Sequence, residues 1–113
     1  MKDDKVFIKH ILDEVNYILK KTSKITFSQL EKDETLKRAL LRSLEIIGGA
    51  TKNLSNDFKN KNSIIKWKEI AGLRDKLIHF YFGVKWDIVW SVFKNKIPEL
   101  KTKIETILKD LEK

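Results

Sequence analysis

Within the segment LRDKLIHFYF, residues 73–82, four side chains able to do chemistry are threaded among apolar ones: Arg74, Asp75, His79 and Tyr81. Histidine titrates near neutrality, so it can both take and give a proton. Arginine keeps its charge and offers a planar fork that can hold two oxygens of an anion. Leu73, Leu77, Ile78, Phe80 and Phe82 otherwise read as a buried helix, where polar groups without partners would be costly. No other stretch gathers reactive groups in this way. An HExxH pair, a Gly-rich phosphate loop after a strand, and a paired-Cys or His cluster are all absent from the sequence. His10 stands alone beside Lys9 and reads as a surface residue.

The elements that must position this segment are helices. Phe7, Ile8, Ile11, Leu12, Val15, Ile18 and Leu19 follow the 3.6-residue period and predict one amphipathic helix from about Asp4 to Lys21. TSKITFSQLEKD reads as a polar connector anchored by Ile25, Phe27 and Leu30. Asp33 can cap a second helix whose stripe is Leu36, Leu40, Leu44, Ile47, Thr51, Leu54 and Phe58. Gly48 and Gly49 interrupt that stripe, each costing about 1 kcal/mol against alanine. The pair marks either a crossing point of two helix backbones or a break between two helices. NDFKNKNS reads as a loop. A third helix is expected from about Lys66 to Phe82, with Trp67, Ile70, Leu73, Leu77 and Phe80 toward the core and Gly83 as its stop. A fourth should start near Asp87 and bury Ile88, Trp90, and Val92 or Phe93. Pro98 fits the first turn of a last helix through Leu100, Ile104, Ile107, Leu108 and Leu111. No stretch alternates like a strand. The expectation is a single all-α domain over residues 1–113, an up-and-down bundle of four to five helices.

Composition bounds what such a bundle can do. At 113 residues the chain is long enough for one real core, and 42% hydrophobic with 35% charged residues suits a solvated helical surface. No apolar run approaches the roughly 20 residues that span a bilayer. The N-terminus, MKDDKVFIKH, lacks the uninterrupted apolar segment of a signal peptide. Without cysteine there is neither a disulfide framework nor a thiolate metal site. A cytoplasmic protein with no membrane association is expected. The net charge of +8 favours a polyanionic partner, nucleic acid above all, or serves solubility alone.

Arginine, four residues, histidine, one residue, tyrosine: Arg74, His79 and Tyr81 match the R-x4-H-x-Y motif, and the chain resembles the HepT toxins of the HEPN ribonuclease superfamily. The surroundings extend the resemblance over nearly the whole chain. RSLEIIGGATKNLS, residues 42–55, is similar to the family's long second helix, and WKEIAGLRDKLIHFYFGV, residues 67–84, to its motif helix. DIVW, residues 87–90, and IPEL, residues 97–100, resemble its C-terminal part. Gly49 stands where the family's GEA-like segment has glutamate, and Asp75 stands where asparagine is common.

The resemblance implies a metal-independent endoribonuclease with no cofactor. The ribose 2′-OH attacks the adjacent phosphate, a base takes its proton, and an acid protonates the leaving 5′-oxygen. His79 would transfer protons, Arg74 would stabilise the charge of the phosphorane, and Asp75 would play a supporting part. Five residues on an ideal helix place Arg74 and His79 roughly 140° apart, so one straight helix does not converge them on one phosphate. Either the helix loosens before Gly83, or the arginine reaches round, or a second subunit completes the site. The family's cleft lies between two protomers, which implies a homodimer with two copies of the motif brought together. The resemblance further implies that Tyr81 is the O-AMP-tyrosine acceptor for an MntA-like nucleotidyltransferase antitoxin, whose adenylate would block RNA.

Two other readings use the same residues. A non-catalytic HEPN module would position nucleotide or substrate for a nucleotidyltransferase, and a plain helical scaffold dimer would keep its basic face for solubility. In the latter, Arg74 and Asp75 are surface groups and His79 and Tyr81 are satisfied core-edge groups.

Overall fold

The computed structural model describes residues 2–78 and 84–112, and every regular element among them is helical. The elements are α1 (Lys2–Thr22), α2 (Phe27–Lys32), α3 (Glu34–Asn53), α4 (Asn56–Lys61), α5 (Trp67–Ile78), α6 (Trp86–Ser91), a π-helical segment (Val92–Lys96) and α7 (Ile97–Leu111). This is an all-α, HEPN-like bundle.

Helix α1 is its central staff. Ile8, Ile11, Val15 and Ile18 are spaced three and four apart and have no exposed surface. Each such side chain contributes about 1.5–3 kcal/mol of burial. Helices α3 and α7 pack against α1, and α5 packs against α3. One core joins them, with Leu40, Leu44 and Ile47 from α3, Trp67 from α5, and Leu100, Ile104 and Ile107 from α7.

Two long-range contacts set directions. The Asp4 carboxylate on α1 accepts hydrogen bonds from the Ser55 backbone N–H at 2.8 Å and from the Ser55 hydroxyl at 2.7 Å. The start of α1 therefore meets the end of α3, and the two helices run antiparallel. At the other end, the Lys94 ammonium donates to the Thr22 carbonyl at 2.9 Å and lies 4.6 Å over the Trp90 ring. It satisfies an orphan carbonyl at the C-terminus of α1. It also places the segment leading into α7 beside the end of α1.

The local signals for helix starts hold where side chains can cap. Asp33 accepts from the Leu36 N–H at 3.0 Å and opens α3. The segment expected to be a polar connector contains α2, because Thr26 and Gln29 form a reciprocal capping box. The segment NDFKNKNS, expected to be a loop, contains α4. Ser55 accepts from the Phe58 N–H at 3.1 Å, and Phe58 turns inward against Trp67. Phe58 thus belongs to α4, whereas the α3 stripe stops at Leu54, where the backbone is extended.

The two glycines do not break α3, which runs unbroken from Glu34 to Asn53. Gly48 is buried. A Cβ placed on Gly49 would meet nothing within 4 Å, so no close backbone approach explains that glycine.

The C-terminal part corrects two expectations. Ile88 is 50% exposed, while Val89 is fully buried in its place. The expected separate fourth and last helices form one helical run from Trp86 to Leu111 through the π-helical segment. Pro98 supplies the cause. Lacking an N–H, and with a ring that crowds the carbonyl four residues before it, proline loosens a helix just upstream. The Ile97 N–H accordingly bonds to the Val92 carbonyl, five residues back. The wider turn keeps Val89, Phe93 and Ile97, four residues apart, on one buried face.

Candidate active site

Helix α5 carries the start of the motif, and its first turn is the best-anchored part. Trp67 is buried, and its indole N–H donates to the Asn62 carbonyl at 3.2 Å. Its ring meets Phe58 at 6.1 Å between centroids. Ile70 packs on the core from the same side of the helix. The chain is helical through Ile78, so the backbones of Arg74 and Asp75 stand on its last two turns.

Asp75 reaches toward α3. Its carboxylate lies 3.5 Å from the Lys52 ammonium, with the two side chains 43% and 47% exposed. Lys52 sits in the last turn of α3, beside Asn53, whose amide donates to the Gly49 carbonyl at 2.9 Å. The carboxylate expected to support the motif therefore faces the helix that carries the Gly48–Gly49 pair. The side chain of Arg74 lies outside the described part of the protein, and so do His79 and Tyr81. Gly83, the expected stop of the motif helix, lies outside it too. His10 is exposed on α1, as expected of a surface residue.

Lys52 was not singled out by sequence reasoning. It is 23 residues from Asp75, and one lysine among many carries no local signal. Only the docking of α5 on α3 selects it.

No helix among the described residues is long and apolar enough to cross a membrane.

A family model for HepT-like ribonucleases matches residues 11–107. Three relatives match over almost their full lengths. A protein of Caldanaerobacter subterraneus subsp. tengcongensis named "Putative RNase" is 47% identical over 108 residues, 96% of this chain and 96% of the relative. A Methanocaldococcus jannaschii protein also named "Putative RNase" is 45% identical over 111 residues, 98% of this chain and 92% of its own. A Thermococcus cleftensis protein named "Probable ribonuclease HepT" is 41% identical over 108 residues, 96% of this chain and 98% of its own. No solved structure matches. The matched region contains α5 entire and the whole R-x4-H-x-Y segment, and the chain belongs to the HepT-like ribonuclease family.

Proposed function

We propose that this protein is the toxin of a HepT/MntA toxin–antitoxin system, a homodimeric endoribonuclease that cleaves RNA by attack of its own 2′-OH. The observation that carries the reading is the family match over residues 11–107, which spans the motif Arg74, His79 and Tyr81 in order. The site chemistry agrees with it. One His79 removes the proton from the 2′-OH as the oxygen attacks the adjacent phosphorus. The His79 of a second copy protonates the 5′-oxygen as its bond to phosphorus breaks, leaving a 2′,3′-cyclic phosphate and a 5′-hydroxyl. Arg74 balances the charge that accumulates on the phosphorane oxygens. Asp75 precedes His79 by four residues, a separation at which two helical side chains come within reach, so its carboxylate would orient one imidazole. The motif thereby supplies base, acid and cation without a metal.

A cleavage assay on RNA decides the matter. The protein should cut RNA in the presence of EDTA, leave cyclic phosphate ends and spare DNA of the same sequence. His79→Ala and Arg74→Ala should each lower the rate by on the order of 10²-fold or more. Their unfolding midpoints should stay close to that of the parent. Loss of cutting in EDTA, or full activity of His79→Ala, would reject the mechanism.

A further inference from the structure

Beside the first half of α5 lies an open groove of about 810 Å³. Helix α4 contributes Asn56, Lys59 and Asn60 to its wall, and the start of α5 with the loop before it contributes Ser63, Lys66 and Lys68. Three lysines thus line the groove with one carboxylate, that of Glu69. None of them forms a close ion pair among the described residues, and Lys66 also interacts with the Glu99 carboxylate on its far side. The walls are fixed. Asp4 holds the Ser55 cap of α4, and the Trp67 side chain ties α4 to α5 through Phe58 and the Asn62 carbonyl.

We propose that this groove binds the sugar–phosphate backbone of the RNA strand next to the scissile phosphate. The proposal deepens the ribonuclease reading and rests on it. Lysines are point charges that neutralise phosphates, and amides and hydroxyls donate to phosphate and sugar oxygens without reading bases. The groove would therefore hold a strand irrespective of its sequence. Continuity with the motif supports the assignment. Ala71, at the far end of the groove, stands three residues before Arg74 on the same helix, a spacing that puts both positions on one face about 4.5 Å apart along the axis. A strand lying in the groove is thereby led toward the turn that carries Arg74.

The test compares two charge-matched triple variants of the full chain. One removes groove charge, Lys59→Gln, Lys66→Gln and Lys68→Gln. The other removes three exposed lysines elsewhere, Lys20→Gln, Lys24→Gln and Lys32→Gln. The probe is a fluorescein-labelled single-stranded oligodeoxynucleotide of about 12 nucleotides, which has the phosphates but no 2′-OH to be cut. The groove variant should bind it about 10-fold more weakly, with a salt dependence shallower by about 2, at roughly 0.7 per lost phosphate contact. On RNA it should raise KM and leave kcat unchanged, and each single substitution should give about a third of the logarithmic loss. The control variant should stay near the parent. Absence of probe binding by the parent, or equal losses in both variants, would overturn the groove. So would intact probe binding with loss only of modification by a nucleotidyltransferase, which would make the surface a protein-docking site. Probe binding that depends on the groove in a protein that cuts no RNA would uphold the groove and remove the ribonuclease reading instead.

Discussion

The Lys52 ammonium at the end of α3 stands 3.5 Å from the Asp75 carboxylate in the last turn of α5. Both side chains are nearly half exposed, so the pair contributes little to stability, at most about 1 kcal/mol. Its importance is positional. It joins the turn that carries Arg74 and Asp75 to the helix on which α5 packs.

Lys52→Ala should therefore separate positioning from stability. Its urea midpoint should correspond to a change within about 0.5 kcal/mol. Its kcat on RNA should fall by on the order of 10-fold, short of the roughly 10²-fold that an ångström of misplacement costs. An unchanged kcat would reduce the bridge to a surface contact.

Gly49 offers a gain. It lies inside α3, its φ is not positive, and a Cβ there meets nothing within 4 Å. Gly49→Ala should raise stability by about 0.5–1 kcal/mol, because glycine loses more backbone freedom on folding. A lower denaturation midpoint for this variant would contradict the open space around it.

The buried Asp4 should give stability a foot in acid. Burial works to raise its pKa, and the hydrogen bonds donated by the Ser55 N–H and hydroxyl, together with the amino-terminal charge, outweigh it, so the carboxyl is held below its ordinary value of 3.8. A carboxyl depressed in the folded state stabilises fully above its unfolded pKa, and that contribution disappears as pH falls through the folded value. Asp4→Ala should cost about 1–3 kcal/mol at pH 7 by leaving the Ser55 donors without their acceptor. Below about pH 4 the gap between parent and variant should narrow. Urea midpoints at neutral and acid pH measure both effects, and a pH-independent gap would refute the assignment.

Assembly and silencing form the last prediction. The parent should run in solution at about twice the 13.3 kDa of one chain. Incubation with a cognate MntA-like nucleotidyltransferase, ATP and Mg²⁺ should add mass in AMP-sized steps and abolish cleavage. An adenylate adds about one negative charge beside a cationic site, which repels RNA phosphates. Tyr81→Phe should stay folded and refuse the modification. Added mass found on another residue, or a monomer with full activity, would show the assignment to be wrong.

Helix positions along α1, α3 and α7 were legible in the sequence because amphipathic periodicity is a local property. Ile8, Ile11, Val15 and Ile18 declare a buried face without reference to any partner. Asp33 declares a cap because its carboxylate meets a backbone N–H only three residues on. The motif was legible in the same way, as residue types at fixed spacing, and the family match spans the segment that contains it. The short helix α2 carries a local signal as well, the Thr26–Gln29 capping box, whereas α4 also leans on a distant partner. In α4 the polar residues are a loop's residues, and the Ser55 cap is joined by one turned-in aromatic, Phe58, that packs on Trp67.

Other features depended wholly on tertiary structure. Asp4 finds Ser55 across 51 residues, Lys94 finds Thr22 across 72, and Lys52 finds Asp75 across 23. Periodicity could not choose Val89 over Ile88, since the choice follows from the buried face that Val89 shares with Phe93 and Ile97 across the widened turn ahead of Pro98. The sequence by itself determined which faces are apolar and which residues could do chemistry. The packing of α5 on α3 decided which lysine stands beside Asp75, because long-range contacts are selected by the shape of the whole core rather than by any neighbouring residue.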